Sequence, residues 1–140
     1  MLIRNVMTEH VLTVGPEATI FEVARLMRDE DIGAVPVAEG DRLLGMVTDR
    51  DIVIRAVADG QLARHPDVRS IMSRRILYCF ADQRVEDVLD NMGEMQVRRL
   101  PVVDRDKRLV GMVSIGDLSG KASLARAGDS LNRISWPASH

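Results

Sequence analysis

A chain of 140 residues, 46% of them hydrophobic, is long enough for one domain or two small halves sharing a core, and too apolar to stay disordered. A formal net charge of −2, no long basic run and only 3% aromatic residues exclude broad nucleic-acid binding, which needs a basic face and often stacking aromatics. A single cysteine, Cys79, excludes an internal disulfide and fits a reducing cytoplasm, and no run approaches the ~18 apolar residues of a membrane span.

The opening stretch MLIRNVMTEH carries charge too early and too often for a signal peptide. A short strand is expected at Val11–Val14. Pro16 then precedes Thr19-x-x-Glu22, a capping box, and Ile20, Val23, Ala24 and Met27 fall on one face at helical spacing. A strand at Ala34–Ala38, a tight polar turn and a strand at Leu43–Val47 follow, and a helix starts at Thr48. The segment Asp59–Arg69, with Gly60 and Pro66, reads as a connection.

The same grammar then recurs. A strand at Ile76–Cys79, a helix with Val85, Val88, Leu89 and Met92 on one face, strands at Arg99–Val103 and Leu109–Val113, and a helix from Ser114 repeat the first half. Met7 pairs with Met72, Val23 with Val88 and Pro36 with Pro101, each 65 residues on. After one extra residue in the second turn the offset becomes 66, pairing Gly45 with Gly111 and Asp51 with Asp117. A single insertion in a turn is cheap. Each copy is therefore β-α-β-β-α, and a unit of ~50 residues is too small to bury both faces of its sheet. The expected fold is α/β (α+β), two repeats packed sheet to sheet about a pseudo-twofold. Its divisions are 1–60 for the first repeat, 61–70 for a linker, 71–121 for the second repeat and 122–140 for a C-terminal helix or tail that carries Trp136.

Little else in the chain points to chemistry. His10, His65 and His140 have no partners at metal-ligand spacing, and one cysteine cannot complete a zinc site, so no metal is expected. Acidic pairs such as Asp104 and Asp106 sit in solvated turns, and no nucleophile motif occurs, so the chain does not read as an enzyme. Cys79, within an apolar run, reads as a buried structural thiol.

The duplicated pattern Val-Pro-Val…Leu-Leu-Gly-Met-Val-Thr-x-x-Asp and Leu-Pro-Val-Val…Leu-Val-Gly-Met-Val-Ser-x-x-Asp resembles a tandem pair of CBS domains over residues 1 to about 120. The resemblance implies a disc-like module with clefts between the copies for adenine-containing ligands. It also implies a homodimer and a role as a cytoplasmic regulatory sensor for an effector protein. The strand openings Ala34-Val35-Pro36 and Arg99-Leu100-Pro101 are the family's usual walls for adenine, with Thr13 or Tyr78 on the first strand opposite.

The strand-to-helix turn suits such a ligand on physical grounds as well. A helix start offers N–H groups and partial positive charge to phosphate, and Thr48 or Ser114 can donate to a phosphate oxygen. Asp51 or Asp117, one turn on, can accept from both ribose hydroxyls, as acidic residues do in dinucleotide sites. Arg50 adds charge toward phosphate in the first copy. The second copy has Ile115-Gly116 in its turn and would borrow Arg98 or Arg99, which replace Gly33 and Ala34. Unequal sites, or one site only, follow. AMP, ADP, ATP, NAD and S-adenosylmethionine share the adenosine these residues would read. The competing reading takes Thr/Ser-x-x-Asp as two helix caps in a ligand-free structural or protein-interaction module, with Tyr78 and the two arginines filling the clefts.

Overall fold

A computed structural model describes residues 1–60, 62 and 66–119. The expected C-terminal helix or tail at 122–140, with Trp136, and most of the 61–65 stretch lie outside the described residues. The fold is the mixed α and β arrangement expected, and the chain divides into two compact units. One comprises Leu12–Ile76, and the other joins Met1–Val11 to the described residues from Leu77 on.

In the Leu12–Ile76 unit, helix α1 (Ile20–Glu30) begins where the capping box places it. Thr19 Oγ accepts from Glu22 N–H at 3.1 Å, and Glu22 Oε2 accepts from Thr19 N–H at 3.2 Å. Ile20, Val23 and Met27 face the core, and the helix stops at Asp31, whose left-handed backbone (φ 53°) cannot continue it. Strands β1 (Ala34–Glu39) and β2 (Arg42–Thr48) form an antiparallel hairpin with a bulge at Val37/Ala38. Its inner face supplies Val35, Val37 and Val47, all fully buried. Helix α2 (Asp49–Asp51) follows at once and widens into a π-type segment, Ile52–Ala58.

The unit from Leu77 repeats this around strand β3 (Cys79–Phe80), helix α3 (Val85–Met95), strands β4 (Arg99–Val103) and β5 (Leu109–Ser114) and helix α4 (Ile115–Ser119). Strand β3 pairs parallel with β4, and β4 antiparallel with β5, giving the order β3-β4-β5. Val85, Val88, Leu89 and Met92 are the buried face of α3. Cys79 is buried against them, and burial pushes its thiol up to about 12, as befits a structural residue.

The opening strands are shorter than expected. Val11–Val14 reduces to Val14, which donates to Pro36 O and accepts from Ala38 N–H beside β1, while Leu12 and Thr13 stay exposed. Ile76–Cys79 shifts to Cys79–Phe80, because only those residues meet Val102 and Val103. Residues with no neighbouring strand have no ladder to join.

The repeats exchange their opening segments. The 3-10 turns Ile3–Asn5 and Val68–Ser70 are equivalent in the duplication, yet each completes the unit of the other copy. Ile3 N–H donates to Gln83 O at 2.9 Å, and Val68 N–H to Ala18 O at 2.8 Å. Thr8 and Met112 exchange two backbone hydrogen bonds (2.9 and 3.0 Å), as do Ser73 and Met46 (2.8 and 3.0 Å). Each exchanged segment thus lies along the Gly-Met-Val strand whose helix start carries the candidate site.

Candidate ligand-binding site

Thr48 ends β2 and caps α2 with both halves of a capping box. Its Oγ accepts from Asp51 N–H at 3.1 Å, and Asp51 Oδ2 accepts from Thr48 N–H at 2.9 Å. Asp51 is half-buried, with a side chain 18% exposed, so its carboxylate is held in one orientation at the helix start. The other N–H groups of the first turn are already engaged. Asp49 N–H donates to Gly33 O at 2.9 Å, and Arg50 N–H to Asp49 Oδ1 at 2.8 Å. The Asp49 carboxylate therefore occupies a helix-start N–H that the sequence offered to phosphate, and Arg50 itself is exposed. What remains available is Thr48 O–H as a donor and Asp51 Oδ1 as an acceptor.

The second unit builds the same cap with less crowding. Ser114 Oγ accepts from Asp117 N–H at 3.1 Å, and Asp117 Oδ2 from Ser114 N–H at 2.9 Å. Ile115 N–H donates to Arg98 O at 2.9 Å, as Asp49 does to Gly33. Here Ile115 and Gly116 put no carboxylate into the turn, and Asp117 is exposed.

The remaining predicted residues fall into the same two groups. Ala34 is the strand partner of Thr48, with Val35 and Pro36 buried behind it, and Thr13 precedes the Val14 that bonds Pro36. Arg99 is the strand partner of Ser114 and is exposed, as is Arg98, with Leu100 and Pro101 buried behind them. Tyr78 is 37% exposed. It stands edge-on to Phe80 (centroids 5.6 Å apart), over which the Arg105 guanidinium sits at 4.2 Å. Arg105 forms a bidentate pair with Asp82 (2.6 and 2.8 Å), which holds the Asp82 carboxyl below its usual range.

Two features escaped sequence reasoning. Arg55, one turn beyond Asp51, brings Nε to 3.8 Å from Asp51 Oδ1 and donates from Nη1 to Ile71 O at 3.3 Å. The signal was present, since Asp51-x-x-x-Arg55 is matched by Asp117-x-x-x-Lys121, although Lys121 lies outside the described residues. The other is the role of Gly45 and Gly111. A Cβ on Gly45 would lie 2.6 Å from Ser73 O, and one on Gly111 2.6 Å from Met7 Sδ and 2.9 Å from Thr8 O. These glycines admit the exchanged segments.

Among the described residues no three His, Cys, Asp or Glu side chains gather as a metal site, and no helix is long and apolar enough to cross a membrane. His65 and His140 lie outside the described residues.

Two hairpin-and-helix units, each passing from its hairpin into a helix through a Thr or Ser cap bonded to an aspartate, define a tandem-repeat module. Residues 3–57 and 68–123 both match the CBS domain, and the chain belongs to that family. It is 41% identical over 134 residues to the CBS domain-containing protein YhcV of Bacillus subtilis, covering 95% of this chain and 94% of YhcV. The crystal structure of Hypoxic Response Protein I with two coordinated zinc ions superposes with a TM-score of 0.78 at 37% identity, covering 87% of this chain and 99% of that one. The CBS domain pair of MJ0100, in complex with 5′-methylthioadenosine and S-adenosyl-L-methionine, superposes at 0.75 with 27% identity, covering 87% and 98%.

Proposed function

We propose that this protein is a regulatory sensor that binds an adenosine-containing ligand at its Thr/Ser-x-x-Asp turns and reports occupancy to an effector protein. The observation that carries the reading is Asp51: a half-buried carboxylate, fixed through one oxygen, whose second oxygen and neighbouring Thr48 hydroxyl complement a ribose and its substituent. The MJ0100 pair, which holds two adenosine derivatives, supports the ligand class. On this reading the protein acts by binding rather than turnover. Ala34-Val35-Pro36 and Arg99-Leu100-Pro101 line the two adenine positions, and Arg98 or Arg99 supplies phosphate charge to the second site.

A thermal-shift panel of AMP, ADP, ATP, NAD and S-adenosylmethionine tests this. A ligand at a hundred times its dissociation constant adds about 2.7 kcal/mol to the folded state, a shift that is readily measured. A rise in melting temperature with at least one of the five supports the sensor. No rise with any of them leaves the turns as helix caps in a protein-interaction module.

A second copy of the chain is the partner that the surface favours. Phe21 on α1 (61% exposed) and Val53, Ile54 and Val57 on the Ile52–Ala58 segment (57%, 46% and 59%) are apolar and open, on elements that pack together. The equivalent positions that are described in the second repeat are polar, Glu86 and Ser119. Large side chains exposed to this degree offer roughly 300–400 Å² of apolar area per copy, enough for the core of a twofold interface. Sedimentation should show a wild-type dimer and a largely monomeric Val57→Asp variant of unchanged helicity. A monomeric wild type at tens of micromolar, or a variant that still dimerises, would falsify this interface.

A further inference from the structure

Arg55 touches two parts of the first unit that are far apart in sequence. Its Nε faces Asp51 Oδ1 at 3.8 Å, and its Nη1 donates to the carbonyl of Ile71, 16 residues on, at 3.3 Å. Asp51 Oδ2 is committed to the Thr48 N–H, so Oδ1 is the oxygen left for a ribose, and that is the oxygen Arg55 approaches. At 3.8 Å the guanidinium attracts the carboxylate by charge but makes no direct hydrogen bond to it. A ribose hydroxyl would bond the same oxygen at hydrogen-bonding distance and compete with the charge attraction that holds Arg55 there.

The other end of Arg55 lies on the exchanged segment. Ile71 is buried in the core of this unit, and Ser73, two residues on, is held to Met46 by paired backbone bonds of 2.8 and 3.0 Å. From Ser73 the chain runs directly to Leu77, where the other unit begins. Arg55 therefore joins the ligand-reading carboxylate to the stretch of chain that leads from one unit to the other.

We propose that Arg55 is a positioning residue that sets ligand occupancy of Asp51 against docking of the Val68–Ser73 segment. The proposal rests on the reading that Asp51 receives a ribose. With the site empty, Arg55 is held by Asp51 and steadies Ile71. When a ribose takes Oδ1, Arg55 loses that anchor and the segment opens more readily. Linkage makes the effect reciprocal: whatever releases the segment strengthens binding, and binding releases the segment.

The test uses the full chain, adenosine as a probe that carries ribose without phosphate, and the variants Arg55→Met and Arg55→Lys. Hydrogen exchange is read at the Ser73 and Met46 amides, and affinity by calorimetry. Without ligand, Arg55→Met should exchange several-fold faster at both amides than the wild type. Adenosine should speed exchange in the wild type and leave Arg55→Met unchanged. Arg55→Met should bind adenosine several-fold more tightly, having nothing to displace. Arg55→Lys keeps a cation near Asp51 but cannot span both partners, so its affinity should stay near wild type while the ligand effect on exchange disappears. Equal ligand-free exchange in the wild type and Arg55→Met, or weaker or unchanged adenosine binding by Arg55→Met, overturns the proposal. If no adenine ligand binds the wild type, the coupling falls together with the reading beneath it. The ligand-free comparison then still shows whether Arg55 holds the segment.

Discussion

Replacing Gly45 with alanine should destabilise the protein by about 1–3 kcal/mol, although at most strand positions the same change is favourable. Glycine in a strand costs roughly 0.5–1 kcal/mol relative to alanine through chain entropy, so an unobstructed Gly→Ala would stabilise. Gly45 is obstructed: the new Cβ would sit 2.6 Å from the Ser73 carbonyl oxygen and 3.0 Å from Met72 Sδ. A backbone carbonyl held by its own hydrogen bonds cannot move aside cheaply, and overpacking of this kind costs about 1–3 kcal/mol. Gly111→Ala meets a different neighbour first, the flexible Met7 Sδ at 2.6 Å, with the Thr8 carbonyl behind it at 2.9 Å. Shortening Met7 to alanine should therefore relieve part of the Gly111→Ala penalty. Shortening Met72 should relieve less of the Gly45→Ala penalty. Double-mutant cycles in urea would read the two coupling energies. A Gly45→Ala protein as stable as wild type would mean that Ser73 does not dock against this strand.

Those glycines also mark where the sequence stops being informative. The elements themselves were legible because their causes are local. Thr19 and Glu22 form the capping box their spacing predicts, and the apolar faces of α1 and α3 are the buried ones. Thr48 with Asp51 and Ser114 with Asp117 meet as a four-residue pattern implies. The exchange of opening segments was not legible, for a symmetric reason. Met7 and Met72 are equivalent under the repeat, so each fits the Gly-Met-Val strand of either copy, and only the path of the chain in space decides which it meets. The first strands failed similarly, since a run such as Val11–Val14 is a strand only as far as a neighbour reaches it. In the site, the sequence assigned phosphate to a helix start whose N–H groups turn out to be bonded already by Gly33 O and Asp49 Oδ1. Arg55 was passed over because its second partner, Ile71, is 16 residues away.

Asp51→Asn should separate the two jobs of the carboxylate, leaving the fold nearly intact while weakening adenine-ligand binding roughly 10- to 100-fold. The amide oxygen of asparagine can still accept from the Thr48 N–H, and the Thr48 hydroxyl can still accept from the backbone of residue 51, so the capping box survives. What is lost for stability is one negative charge at a helix start, worth about 0.3–1 kcal/mol. For the ligand the loss is larger. The oxygen that faced the ribose becomes an NH2, which cannot accept from a hydroxyl, and hydrogen bonds to a charged group are worth about 1.5–3 kcal/mol, or one to two powers of ten in affinity. Asp51→Ala would lose the carboxylate half of the capping box together with the acceptor, so its lower melting temperature alone could not distinguish the roles. Asp117→Asn, measured beside it, shows whether the more exposed turn of the second unit binds as well. If Asp51→Asn binds the ligand as the wild type does, and so does Asp117→Asn, neither carboxylate reads ribose. The duplicated turn would then serve the fold alone, and the exposed Phe21–Val57 surface becomes the place where the protein meets its partner.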